Sequence, residues 1–407
     1  MIIRSLLEND VYKWNMAYAI MMKYPFAETV FKFKDRNNEV FDESFVEKFN
    51  LELASLSMLR LKADEKAFLI KRFHWIPRFF FDWFETFKFK PKEQVKVWLD
   101  EKGHFNMEST ALAYENEFWE VPLLAIFTEL REEYVGRRAK LNMAEVLERA
   151  EAQIELSNEK QLYFSEFGLR RRFCAIVQDR VDELIAKKAK YCIGNSNVYE
   201  AFKFDQKICG TQAHSWIMLN IAFNGYRLGN YHAMENWNSV FKGNNGIYLV
   251  DTIGIDIFLN NLTMLQAKAM DGARWDSGPW ETFTTKVINR WRELNVNPQH
   301  KTMMYSDSIN MFQYADIDAN VKGRVGFNAA GMGGAWTNNT GISGKGVQCV
   351  MKLDRARINP ASPWIFCVKC PDTDGKYMGD INEVEVCLKS TGRRDLWEKE
   401  KHFEDKK

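Results

Sequence analysis

Apolar residues recur at three- and four-residue spacing in EVPLLAIFTELREEY (120–134) and MAEVLERAEAQIEL (143–156). That period predicts two amphipathic helices. A different unit then repeats: a short apolar run, a polar or glycine-containing turn, and a helical segment. Its clearest copy is QLYFSEFG, then LRRR, then FCAIVQDRVDELIAKKAK, where Phe173, Ile176, Val177, Val181, Leu184 and Ile185 fall on one helical face. Further runs begin at Lys190 (KYCIGNSN), Lys207 (KICGTQAH), Ile247 (IYLVDT), Gly272 (GARWDS), Lys301 (KTMMYSDS) and Gly323 (GRVGFN). These make seven candidate strands, and the alternation predicts a parallel β/α architecture. Polar clusters follow nearly all of them. A doubly wound sheet would gather such residues at one switch point, so the spread favours an irregular seven-stranded β/α (TIM-like) barrel with its site on the carboxyl rim.

The flanking text differs from the barrel text. Residues 1–116 are aromatic and irregular, with FKFKDR at 31–36, FFFDWFETFKFKPK at 79–92 and VKVWL at 95–99, which predicts a mixed α+β unit. The barrel reading spans 117–344. Strand-like pieces return in 345–407 as GVQCVMKL, PWIFCVKC and VEVCLK, before a charged, frayed tail from Trp397 to Lys407.

Length and charge narrow the function. The 407 residues suffice for two or three domains. Lys+Arg number 56 and Asp+Glu 55, a net charge of +1 that argues against a general nucleic-acid or acidic-membrane binder. The stretch without formal charge, Ile208 to Tyr226, carries Thr211, Gln212, His214, Ser215, Asn220 and Asn224, so it does not read as a membrane span. The opening MIIRSLLENDVYKW shows no signal peptide, and a cytosolic, cytoplasmic location is expected. Seven cysteines, an odd number, fit reduced thiols better than a disulfide framework. Cys367 and Cys370 form a lone C-V-K-C that lacks the two further ligands a zinc site needs, so no metal-ligating residues are assigned. Aromatic residues reach 14%, which supplies core area and rings able to stack on a flat ligand.

The candidate chemistry sits at the strand ends. His214 stands in G-T-Q-A-H-S-W, near the first turn of a helix, where free N–H groups favour phosphate and disfavour imidazolium. A neutral, nucleophilic ring is one reading; a buried histidine bonded to a carbonyl is the other. His74, His104, His232, His300 and His402 read as structural. Arg170, Arg171 and Arg172 at a strand-to-helix turn oppose the helix dipole, which an anionic ligand would explain. Asp251, Asp256, Asp276 and Asp307 lie at or just beyond predicted strand ends, where separated carboxylates suit sugar hydroxyls, Mg²⁺ or a developing cation on an anomeric carbon. Any one of them alone would read as a helix cap. The glycine stretch FNAAGMGGAWTNN (327–339) offers backbone amides that could cradle a phosphate.

In order along the chain, LLENDVYKWNM (6–16), EFGLRRR (166–172), GNSNV (194–198), GTQAHSW (210–216), LVDTIGID (249–256) and RWDSG (274–278) resemble the nicotinate phosphoribosyltransferase family, to about residue 355. The resemblance implies a type II phosphoribosyltransferase fold, in which the barrel is joined to a second domain built from both chain ends. It implies that nicotinate and phosphoribosyl pyrophosphate give nicotinate mononucleotide and pyrophosphate, with Mg²⁺ and coupled hydrolysis of ATP as co-substrate, the first step of NAD salvage from nicotinate. By the same resemblance His214 is the phosphorylated histidine, Phe167 stacks on the pyridine ring and Arg170 holds its carboxylate. Asp251, Arg274, Asp276 and Ser277 take the ribosyl phosphate part, and Gly331 and Gly333 belong to the phosphate-binding turn. Tyr12 is implied to stack from the neighbouring subunit of a homodimer with a shared site. Asn197 stands where nicotinamide-using relatives resemble one another in having Asp, and a neutral group there avoids repelling a carboxylate. The competing readings are a related enzyme using nicotinamide or quinolinate, and a catalytically silent relative serving as a binding subunit. Arg170 with Asn197 argues against nicotinamide, the histidine motif against the ATP-independent quinolinate enzyme, and joint retention of His214, Arg170, Arg274 and Asp276 against silence.

Overall fold

The computed structural model describes residues 1–373 and 377–393; the expected tail from Trp397 to Lys407 lies outside them. Strands β1 (Glu28–Asp35), β2 (Val95–Leu99) and β3 (Phe105–Leu112) come from the N-terminal part. They are followed by β4 (Phe164–Glu166), β5 (Cys192–Asn195), β6 (Ile247–Leu249), β7 (Gly272–Trp275), β8 (Thr302–Tyr305) and β9 (Phe327–Met332), then by β10 (Cys349–Arg357) and β11 (Ile365–Phe366).

The two ends of the chain share one sheet. Its order is β11-β10-β1-β3-β2, all pairs antiparallel, and β1 runs against β10 from Glu28↔Arg357 to Asp35↔Cys349. Alternation along β3 buries Phe105 and Met107 on the face covered by the helix Glu120–Tyr134. The Phe127 ring on that helix lies 4.5 Å from Phe33 and 5.3 Å from Phe105, centre to centre, within the usual span of favourable aromatic pairs. This helix is buried nearly all round rather than amphipathic, because it is packed between the antiparallel sheet, the helix Glu43–Ser55 and the turn Leu169–Arg171. Its charges are accordingly paired: Glu132 with Arg137 at 2.6 Å, Glu120 with Lys13 at 2.5 Å.

The parallel sheet has the order β5-β4-β9-β8-β7-β6. The first and last strands of the repeat, β4 and β9, lie side by side, so the strands wind round as the barrel reading requires. A closed seven-stranded barrel does not form among the described residues. The seventh expected run, from Lys207, contributes one bridge, Ile208 to Asn195, and no strand. Its carbonyls have another partner: Asn15 donates its side-chain amide to Gly210 O (3.0 Å) and Thr211 O (3.1 Å), so they are not offered to β6. Contact with β6 is left to the Thr211 hydroxyl, which donates to Ile247 O at 2.8 Å. In the helix Ala175–Lys188 the residues Val177, Val181 and Ile185 are buried as expected, whereas Ile176 is 55% exposed. Among the described residues no helix is long and apolar enough to cross a membrane.

Candidate active site

A cavity of about 290 Å³ opens at the carboxyl ends of the parallel strands, with β10 of the other sheet as one wall. Strand polarity brings the site together: Glu166, Asn195, Leu249, Trp275, Tyr305 and Met332 all end their strands on this side, and the residues after them turn over the opening. Six cationic side chains line it (Arg36, Arg170, Arg171, Arg274, Lys352 and Lys369) against four carboxylates (Asp10, Glu120, Asp276 and Asp307). Burial, together with Lys369 and Arg36, pulls the Lys352 ammonium down to about 7. So many facing cations fit a ligand with several negative charges.

His214 is the first residue of the helix His214–Asn224, whose N-cap, Ala213, offers no side chain to the first-turn N–H groups. Its Nδ1 lies 2.9 Å from Thr252 Oγ1, and its Nε2 lies 2.9 Å from Asp276 Oδ2 and 2.8 Å from Lys369 Nζ. The ammonium can only donate and the carboxylate can only accept. Nε2 can therefore exchange between donating to Asp276 and accepting from Lys369 without heavy-atom movement. Burial, then the Lys369 charge, lower the ring below the ordinary histidine range, so it is neutral at neutral pH with a lone pair on one nitrogen. Asp276, in contrast, is held well below the carboxylate range: burial opposes ionisation, but the hydrogen bond of His214, with the charges of Lys369 and Arg274, outweighs it. Asp251 stands 3.9 Å from Nε2 and accepts the Ser277 hydroxyl through Oδ2, while its buried Oδ1 has no hydrogen-bond partner. His214, Asp251 and Asp276 are the one group among the described residues able to hold a metal ion, with ligand atoms within 4.8 Å of one another.

Two aromatic rings also face the cavity. Phe167 and Tyr12 both line it, and the Arg170 guanidinium lies 5.6 Å from the centre of the Tyr12 ring. Arg170 also pairs with Glu120 at 3.3 Å and stands 3.8 Å from Asp10. Burial raises the Asp10 carboxyl to about 6 despite Arg170. The arginine run divides: Arg170 and Arg171 face the cavity, and Arg172 is fully buried, donating to Ile2 O at 2.9 Å and pairing with Glu8 at 3.4 Å.

Several expectations are corrected. Tyr12 lies in its own chain's cavity, because the helix Val11–Lys23 docks on the rim through the bond from Val11 N to Ser196 O (2.8 Å). Asn197 does not face the ligand space. Its carbonyl oxygen caps the next helix by accepting from Tyr199 N at 3.1 Å, and its amide donates to Gln178, while the neighbouring Ser196 lines the cavity. Gly331 and Gly333 both line the cavity, packed closely on Phe167: a Cβ on Gly331 would lie 2.4 Å from the Phe167 ring, and one on Gly333 2.9 Å from the Phe167 carbonyl. Asp256 is exposed and paired with Lys286 at 2.7 Å, away from the cavity. Asp307, Arg274 and Ser277 are on the lining as expected; Arg274 donates to Gln212 O at 3.0 Å, and its Nε has no partner. The sequence reading missed Lys369, Lys352, Arg36, Asp10 and Glu120. Lys369 carries a local signal, since it is the polar residue inside the Cys367–Cys370 motif.

Comparison with known proteins agrees with this geometry. The family model described as the nicotinate phosphoribosyltransferase (NAPRTase) family matches residues 162–375, and that of its N-terminal domain matches 7–128. A nicotinate phosphoribosyltransferase of Desulforapulum autotrophicum is 32% identical over 389 residues, covering 95% of this chain and 98% of the relative. One from Methanosarcina acetivorans is 30% identical over 408 residues, with 97% and 99% covered. The crystal structure of nicotinate phosphoribosyltransferase from Porphyromonas gingivalis superposes with a TM-score of 0.94 at 35% identity, covering 96% of this chain and all of that one. With two family models, full-length relatives and a matching solved fold, the chain belongs to the nicotinate phosphoribosyltransferase family.

Proposed function

We propose that the protein transfers the phosphoribosyl group of phosphoribosyl pyrophosphate to nicotinate, giving nicotinate mononucleotide and pyrophosphate, with coupled hydrolysis of ATP through phosphohistidine at His214. The observation that carries the reading is one cavity lined both by aromatic rings with Arg170 and by a neutral histidine among cations and carboxylates. Nicotinate lies against Phe167 and Tyr12 with its carboxylate on Arg170. Its ring nitrogen bonds to the anomeric carbon as the bond from that carbon to pyrophosphate breaks. Positive charge developing on the sugar is stabilised by Asp251 and Asp276, and the departing pyrophosphate by Arg274, Lys352 and Lys369. No protein nucleophile on the sugar is required.

Separately, His214 Nε2, with its proton on Nδ1 toward Thr252 and its lone pair released from Lys369, which turns to the phosphate, attacks the γ-phosphorus of ATP. The bond from that phosphorus to the β,γ-bridging oxygen breaks and ADP leaves. Water later cleaves the phosphohistidine. Mg²⁺ fits the carboxylates of Asp251 and Asp276, of which Asp251 Oδ1 is buried without a partner, and when bound it neutralises phosphate charge. The place of this reaction in NAD salvage and a homodimeric state are proposed from family membership; Tyr12 lines the cavity of its own chain. The test is incubation with phosphoribosyl pyrophosphate, Mg²⁺ and either nicotinate or nicotinamide, with and without ATP, followed by chromatography. Nicotinate mononucleotide is expected and ATP should raise its yield. Product from nicotinamide alone would overturn the choice of base.

A further inference from the structure

We infer that Thr337, a residue that does not line the cavity, positions the base-reading loop. The loop Phe167–Arg172 carries the stacking ring and two of the facing cations, and Arg170 and Arg172 tie it to Glu120 and to Ile2. Its backbone is also fastened to the segment 331–338. Phe167 N donates to Met332 O at 2.7 Å, Phe173 N to Thr337 O at 2.9 Å, and the Asn338 amide to Arg171 O at 2.8 Å. The centre of the clamp is Gly168. Its N–H donates to Glu166 Oε1 at 2.5 Å, and its carbonyl accepts the Thr337 hydroxyl at 2.9 Å.

Space confirms how closely these parts fit. A Cβ on Gly168 would fall 2.3 Å from Thr337 Oγ1 and 2.4 Å from Glu166 Oε1, and Gly331 leaves just enough room for the Phe167 ring. Thr337 and Glu166 are fully buried. The Glu166 carboxyl is raised well above its ordinary range, by burial first, so a neutral acid sits beneath the loop. By contrast, His214, Arg274, Asp276 and Lys369 come from elements the clamp does not hold. Loosening it therefore misplaces Phe167 and Arg170 and leaves those residues in place, and displacement of about 1 Å is enough to cost up to ~100-fold in rate.

The kinetic arm of the test rests on the proposed function; a second arm does not. Thr337→Val keeps the shape and removes the donor. It should raise the Michaelis constant for nicotinate about tenfold or more, change that for phosphoribosyl pyrophosphate by less than about twofold, and be rescued by Thr337→Ser. Gly331→Ala, which acts on the same ring through a different contact, should show the same split. Hydrogen exchange at the amides of 167–173, measured on the unliganded protein, should quicken in Thr337→Val while the helix His214–Asn224 is unchanged. Unchanged exchange, equal effects on both substrates, or failure of Ser to rescue would overturn the inference. If the wild-type protein does not turn over nicotinate, the proposed function fails and the exchange result alone decides the clamp.

Discussion

At the scale of single residues, cations and carboxylates are gathered around one cavity. Arg170 stands beside Asp10 and Glu120, and under the proposed function exchanging it removes a charge-assisted pair with nicotinate worth about 1.5–3 kcal/mol. Arg170→Gln should raise the Michaelis constant for nicotinate about ten- to hundredfold, with a much smaller change for phosphoribosyl pyrophosphate; unchanged nicotinate kinetics would mean that another cation reads the carboxylate. Lys352 gives a pH dependence with a definite sign. Its pKa is near 7 in the free protein, and a bound polyphosphate raises it, so above pH 7 binding must take up a proton. Affinity for pyrophosphate should therefore fall by up to about tenfold per pH unit above 7, and Lys352→Met should flatten that slope, as isothermal titration across pH 6–9 would show. The same depression bears on stability: between pH 7 and the ordinary lysine range the unfolded chain holds a proton that the folded one has released, so this group's contribution to stability rises with pH.

At the scale of elements, the parallel strands were legible because each is a local event: an apolar run, a polar turn, a helix. His214, Arg170 and Asp276 were legible for the same reason, since each directly follows such a run. What the sequence concealed depends on partners distant in the chain. The seventh run lost its strand to the side chain of Asn15, almost two hundred residues earlier. Asn197 was misplaced by one step of parity, because at the end of β5 Ser196 faces the cavity and Asn197 turns to cap a helix. Lys369 reaches His214 only because Cys370 N donates to Thr252 O at 2.8 Å, tying the C-terminal segment to the loop after β6. Lys369→Met should consequently suppress phosphate transfer from ATP to His214 by about tenfold or more, through loss of a buried charge-assisted bond, while slow nucleotide formation without ATP persists. ADP release counted against nicotinate mononucleotide would separate the two.

At the scale of the molecule, neither sheet holds a complete site. The parallel strands supply His214, Asp276 and Arg274, and the antiparallel sheet supplies Arg36 just after β1 and Lys352 within β10. That sheet is itself made from both chain ends, and β1 loses its whole β10 partner if the chain stops before residue 349. A chain ending at residue 345 should expose the aromatic face around Phe33 and Phe127, lose its cooperative thermal transition, and show no turnover. A truncated chain that kept wild-type activity would mean that Lys352 and Lys369 are dispensable.

The central claim is that His214 accepts phosphate from ATP and is not a nucleophile toward the sugar. The direct measurement is peptide mapping by mass spectrometry after incubation with ATP and Mg²⁺, under conditions that preserve acid-labile phosphate, on the wild-type protein and His214→Ala. The account predicts one phosphate on His214, none in the variant, and slow nucleotide formation by the variant that ATP no longer stimulates. Phosphate found on a different residue, or complete loss of nucleotide formation in a folded His214→Ala protein, would contradict it.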